Sequence, residues 1–314
     1  MGYIDEQAKE LYHYLPAQTK QPDFDQFWED TLAQSAALPL DAVVEEITDY
    51  PLKGMKIYHV TYKGFEGVPV TAWFITPAQM DGPVPCILHY HGFSDFKGLP
   101  YIYTHFVMMG YAVFAIDVRE QGGDTGNTAY HGGMAGNVIT KGLLDKNTYY
   151  FRGVIMDAVR AVDFVCTRPE VDTTRLVTNG GSQGGALSLS VSALDRRIAL
   201  TFADIPSNCM LTERVRTETG SYGQVANYLR RYPDRTDKVL ETLSYFDLVN
   251  LTERITSPVF ASVGLKDNVC PAKLFFAAYN RITAPKQIDI QPFMGHEIRQ
   301  NMVETKLKLM EKYL

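Results

Sequence analysis

From Pro85 onward, six short apolar runs, PCILHYHG, YAVFAIDV, TRLVTNGG, ALTFADI, PVFASVGL and QIDIQPF, alternate with helical stretches, and each ends in a polar or glycine-rich loop. Strands that return through helices pair in parallel and are buried on both faces, so continuous apolar runs at this spacing predict a mostly parallel sheet flanked by helices. The stretch NTYYFRGVIMDAVRAVDFVCTRP places Phe151, Val154, Ile155, Ala158, Val162 and Val165 on one helical face, with Pro169 just beyond its end. That helix is expected to lie on the sheet. Upstream, MKIYHVTYKG and VPVTAWFITP flank a glycine-containing turn and predict antiparallel strands. Earlier still, PDFDQFWEDTLAQ predicts a helix with Asp23 as N-cap and Phe24, Phe27, Trp28 and Leu32 on one face, packed as a lid on the sheet edge.

The segment from about 207 to 250 has no strand pattern and many Arg, Glu and Tyr residues, which reads as a helical insertion covering a pocket. No repeat, linker or composition break divides the chain. It is therefore expected to be one domain over 1–314, with an N-terminal helical extension over about 1–40. A net charge of -6 gives no electrostatic reason to bind nucleic acid. The most apolar run, YAVFAI, is far shorter than the roughly 20 residues that cross a bilayer, so no membrane association is expected. MGYIDEQAKELYHY carries Asp5, Glu6, Lys9 and Glu10 where an export signal would be apolar, and Cys86, Cys166, Cys209 and Cys270 form no CxxC pair. Reduced, mostly buried thiols and a cytoplasmic location are the expectation.

The strongest local signal is NGGSQGG, in which Gly180, Ser182 and Gly184 form GxSxG between the strand RLVTN and the apolar stretch ALSLSVSAL. In that setting the motif marks a nucleophile on a tight strand-to-helix turn, and the chain reads as α/β, specifically an α/β-hydrolase fold. The turn aims the backbone N–H of Gln183, at the helix start, toward a forming oxyanion. In this fold the chain order is nucleophile, acid, base. His13, His59, His89, His91, His105 and His131 all precede Ser182, which leaves His296, in FMGHE after the strand QIDIQPF, as the base. The acid is expected just past the preceding strand, at Asp267 in GLKDN, where Gly264 allows a turn; Asp247, inside an expected helix, and Asp289, in mid-strand, are the weaker candidates.

A second oxyanion donor is expected from the loop after PCILHY, at the N–H of Phe93 in YHGF. His89 and His91 alternate as a metal pair might, but Tyr90 stands between them and no third ligand is evident, so no metal is expected. The triad implies acyl transfer through an acyl-enzyme.

Read together, PDFDQFW, HGF, DVREQG, TKGLLDKNTYYFRGVIMDAVRAV, GGSQGG, GLKDNVCPAKLFFAAYN and GHE resemble carbohydrate esterase family 7, the acetyl xylan esterases and cephalosporin C deacetylases, over nearly the whole chain. The resemblance implies deacetylation of short acetylated sugars and of the cephalosporin side-chain ester. It puts Ser182, Asp267 and His296 at the triad positions and Phe93 and Gln183 at the oxyanion pair. It also implies a cytoplasmic, cofactor-free, ring-shaped homohexamer whose sites face an inner cavity. Two departures stand out: the family's RGQGxS is REQGGD here, with Glu120 for Gly and Asp124 for Ser, and its HGY is HGF. Arg119 and Gln121 remain and are expected to bind substrate or brace the loops. A serine peptidase of the prolyl oligopeptidase type shares fold and triad order but carries a propeller domain, and a non-catalytic binding protein would have no need of the triad.

Overall fold

A computed structural model describes residues 2–127, 132–134 and 136–314. Among the described residues one sheet runs through β1 (Val43–Glu46), β2 (Met55–Lys63), β3 (Pro69–Pro77), β4 (Val84–Tyr90), β5 (Ala112–Ile116), β6 (Val171–Gly181), β7 (Ile198–Asp204), β8 (Val259–Gly264) and β9 (Lys286–Gln291). The strand order is β1-β2-β3-β5-β4-β6-β7-β8-β9. The first three strands and the β3–β5 pair are antiparallel, and every other pair is parallel. The six apolar runs thus become β4 to β9. The two β-rich runs form the β2–β3 hairpin, in register from Met55 opposite Pro77 to Lys63 opposite Pro69.

From β4 the chain crosses to β5 on one side and then to β6 on the other, so the loops leaving β4 and β6 diverge. In open parallel sheets that divergence opens a crevice at the carboxyl ends of the strands. The helices Tyr150–Val165, Gln183–Leu194 and Ala272–Tyr279 pack in the larger apolar cluster on one face. Tyr103, Phe106, Val107 and Met310 contribute to a second cluster built around Ile57, Ile87, Val113 and Val177. Alternation along β4 explains the split: Leu88 and Tyr90 belong to the first cluster and Ile87 to the second.

The first long helix spans Phe24–Ala36, but Asp23 makes no side-chain capping bond; its carboxylate is held by Lys146 and Tyr245. Trp28 donates through Nε1 to the Tyr245 carbonyl at 3.1 Å, and Arg152 donates to the Thr31 hydroxyl. This helix therefore buttresses the helical layer, where the sequence suggested a sheet-edge lid. Between β7 and β8 lie the helices Leu211–Arg216, Gly223–Arg231 and Thr236–Ser244. Among the described residues no helix is long and apolar enough to cross a membrane.

Candidate active site

Ser182 sits between β6 and the helix Gln183–Leu194 at φ 55 and ψ -116, a conformation a non-glycine residue holds only under constraint. The glycines around it are there for close approach. A Cβ on Gly184 would meet the Tyr90 carbonyl oxygen at 1.9 Å, and one on Gly180 would meet that same oxygen at 2.5 Å. The turn is pinned from the other side by Ser182 N–H on the Asp204 carbonyl at 2.9 Å and Ser207 N–H on the Ser182 carbonyl at 3.0 Å.

Three chain segments converge there. His296 Nε2 is 3.0 Å from Ser182 Oγ, and its Nδ1 is 2.7 Å from Asp267 Oδ2. The other carboxylate oxygen, Oδ1, accepts the backbone N–H groups of Val269 and Cys270 at 2.8 and 2.7 Å, which locks the side chain. Gly264 allows more than a turn: a Cβ there would meet the carbonyl oxygens of Gly295 and Met294 at 2.4 and 2.5 Å, so the bare residue lets the loop carrying His296 cross the end of β8. Burial works against the Asp267 carboxylate, but the hydrogen bonds from His296 and Cys270 N–H outweigh it and hold the group below its ordinary value. His296 is pushed up to about 9, by Asp267 first and the Cys270 thiol second, against the effect of burial.

The rival carboxylates lie elsewhere. Asp247 is not within a helix; it caps the short turn Leu248–Asn250 and accepts the N–H groups of Met210, Leu211 and Val249, and burial pushes it up to about 6. Asp289 is on β9 and pairs with Arg299 at 2.9 Å. His89 and His91 are engaged by neighbours: His89 Nδ1 accepts from Asn179, and His91 Nε2 accepts the Val118 N–H at 2.8 Å. Burial pulls His89 down to about 3. Among the described residues no group of three metal-ligating side chains is assembled. His131 lies outside the described residues.

Phe93 and Gln183 both line a cavity of about 300 Å³ with Ser182 and His296. Among the described residues neither of their backbone N–H groups has a hydrogen-bond partner. Gln121 joins their loops: its Oε1 accepts the Ser94 N–H at 2.9 Å, and its Nε2 donates to Gln183 Oε1 at 2.9 Å and to the Tyr150 hydroxyl at 3.1 Å. Tyr150 in turn donates to the Arg119 carbonyl. The Arg119 guanidinium does not reach the cavity. It is buried and bidentate on Asp157 at 2.7 Å for each bond, with Nη2 also on the Phe65 carbonyl at 2.9 Å. Removing one partner of such a pair leaves a buried charge uncompensated. Asp157→Ala is accordingly expected to lower the unfolding free energy by about 3–5 kcal/mol, read from the urea midpoint at unchanged slope.

The two departures in REQGGD are accommodated locally. Glu120 stands at φ 56, where glycine is the easier residue, and its carboxylate is held by Lys141 and by Asn127 at 2.8 Å. Asp124 accepts from Lys97 at 3.1 Å beside the buried Lys97–Asp117 pair. Sequence reasoning missed Cys270, whose Sγ is 4.0 Å from Ser182 Oγ, and the wall of Ser207, Asn208, Arg214 and Ser221. No motif marks these positions, because the insertion that carries the wall has no recurring pattern.

The nine-stranded sheet, the reversal at β4 and the serine at a strand-to-helix turn define an α/β-hydrolase. The profile of the acetyl xylan esterases (AXE1) matches residues 1–313, and the chain belongs to that family, and with it to the carboxylic ester hydrolases. Among solved structures it is similar to an acetyl xylan esterase from Paenibacillus sp. R4, at 39% identity and a TM-score of 0.94 over 98% of this chain and 99% of that one. It is also similar to acetyl xylan esterase 1 from Thermoanaerobacterium sp. JW/SL YS485, at 28% identity and a TM-score of 0.92 over 97% and 98% of the two chains. The acetyl esterase Axe7A of Xylanibacter ruminicola is 28% identical over 292 residues, which are 90% of this chain and 65% of that protein. The match thus spans less than two thirds of that relative's length.

Proposed function

We propose that the chain is a serine esterase that removes acetyl groups from acetylated xylo-oligosaccharides and from cephalosporin C. The observation that carries this reading is the unbroken relay of 2.7 and 3.0 Å from Asp267 through His296 to Ser182 in a chain of this family. In the proposed cycle His296 Nε2 takes the Ser182 proton as Oγ attacks the acetyl carbonyl, and Asp267 holds Nδ1–H and stabilises the imidazolium. The N–H groups of Phe93 and Gln183 receive the oxyanion, worth about 3–4 kcal/mol per donor. The imidazolium then protonates the departing sugar oxygen, and water attacks the acetyl-enzyme by the same path to release acetate. Support for a cytoplasmic location comes from the four unpaired cysteines, and for a ring-shaped homohexamer from the family resemblance alone. The acidic net charge argues against nucleic acid as a partner, and the family resemblance supports small acetylated substrates.

Acyl-chain profiling tests the reading. Hydrolysis of p-nitrophenyl acetate, butyrate and octanoate should fall in that order, and acetylated xylo-oligosaccharides and cephalosporin C should both release acetate. Preference for the octanoate, or faster cleavage of a prolyl p-nitroanilide, would overturn it.

The base must be neutral to act, and its folded value lies above the ordinary 6.5, so activity is lost on the acid side. Below about 9, kcat/KM is expected to fall about tenfold per pH unit, and Cys270→Ala should move the midpoint downward. A pH profile with its midpoint at or below 6.5 would contradict this assignment of the base.

A further inference from the structure

The insertion gives the active-site cavity a wall of hydrogen-bond donors. Arg214, on the helix Leu211–Arg216, lines the cavity with Ser207, Asn208 and Ser221, yet it is only 2% exposed. Its guanidinium lies over the Tyr222 ring at 5.1 Å. Nη2 donates to the Val269 carbonyl at 3.0 Å and to that of Thr219 at 3.4 Å. Nε is buried without a partner, and no hydrogen bond uses Nη1.

No carboxylate among the described residues comes within 4.0 Å of this cation. Asp247, buried nearby, feels the Arg214 charge without bonding to it, because its carboxylate is held by three backbone N–H groups. Asp267 is bound to His296, and Asp95, at the same cavity, is an exposed residue whose Oδ1 accepts the Phe96 N–H. Asn208 reinforces the pattern. Its Oδ1 accepts from both Ser207 Oγ at 3.1 Å and Tyr222 OH at 3.0 Å, which leaves the Nδ2 amine as its remaining polar group. The Val269 and Thr219 carbonyls and the Tyr222 ring take up one nitrogen and one face of the guanidinium, and the rest of this buried cation has no hydrogen-bond partner. The Nη1–H groups, which no hydrogen bond uses, are suited to a carboxylate oxygen, and the Asn208 amine adds another donor.

We propose that Arg214, with Asn208, recognises a carboxylate on the alcohol portion of the ester, a few bonds from the acetylated oxygen. This rests on the acetyl-esterase reading and narrows it to acidic acetyl esters. An O-acetylated oligosaccharide bearing a uronic acid and an acetoxymethyl cephem both carry such a group.

The decisive comparison uses the full chain and a matched pair, 3-acetoxybenzoate and 3-acetoxybenzamide, which differ in charge and share the leaving oxygen. The carboxylate should be favoured in kcat/KM by about tenfold or more, mainly through KM, and increasingly so at low salt. Arg214→Met should bring the ratio near one, and Arg214→Lys, which keeps the charge but loses the fixed guanidinium donors, should retain part of it. A wild-type ratio at or below one, or a ratio that Arg214→Met leaves unmoved, overturns the proposal. Should that variant fail to fold, the wild-type ratio, its salt dependence and the lysine variant decide the matter. If neither ester is cleaved, the acetyl-esterase reading itself falls and this inference with it. Repeating the measurement with an acetylated uronosyl oligosaccharide and an acetoxymethyl cephem, each against its neutral amide, identifies the source by whichever loses more on Arg214→Met.

Discussion

Ser182→Ala is expected to reduce acetate release by a factor of about 10⁶ in kcat while leaving the fold intact. The substitution removes only Oγ. The backbone bonds that pin the turn, from Ser182 N–H to Asp204 and from Ser207 N–H to Ser182, do not involve it. His296→Ala is expected to cost about as much, and the double variant little more, because nucleophile and base act as one unit. Acetate release from an acetylated xylo-oligosaccharide, together with labelling by a fluorophosphonate, provides the measurement. Residual turnover above roughly one hundredth of wild type would place the nucleophile elsewhere.

Asp267→Asn is the second large effect, about 10⁴ in kcat, and the geometry gives its sign. Oδ1 of Asp267 is held by the N–H groups of Val269 and Cys270, so the amide oxygen of an asparagine will keep that place and turn its NH₂ toward His296 Nδ1. Nδ1 must then accept a hydrogen bond, which moves the ring proton to Nε2. An Nε2–H aimed at Ser182 Oγ, 3.0 Å away, cannot take the serine proton. The variant should fold and melt like wild type but turn over slowly, with activity partly restored at high pH. Wild-type kcat in a folded Asp267→Asn protein would remove Asp267 from the mechanism.

Both predictions concern residues that could be read from the sequence, and the reason is topological. Parallel strands announce themselves as apolar runs, and the ends of those runs are where a hydrolase carries its chemistry, so the sequence alone puts Ser182, Asp267 and His296 at strand ends. What could not be read depends on contacts between distant segments. Gly264 looked like a turn residue, but it is bare because the backbone at 294–295 crosses above it. Asp23 has the right type for a helix cap, yet Lys146 and Tyr245, more than 120 residues away, claim its carboxylate. Asp247 reads as helical because the segment from about 207 to 250 has no strand pattern; the helix Thr236–Ser244 stops short of it, and three backbone N–H groups converge on its carboxylate. Arg214 was one charged residue among many until the fold turned it inward.

The paired amides of Gln121 and Gln183 have a kinetic corollary. They tie the segment at 93–94 to the start of the elbow helix, so two N–H groups that are 90 positions apart in the chain hold a set spacing before any ester arrives. The ordering cost of that hollow is incurred once, when the polypeptide folds, and is not repeated at each turnover. Mixing enzyme with a rapidly acylating ester should therefore release the first equivalent of alcohol without a lag, and shortening Gln121 to alanine should introduce one.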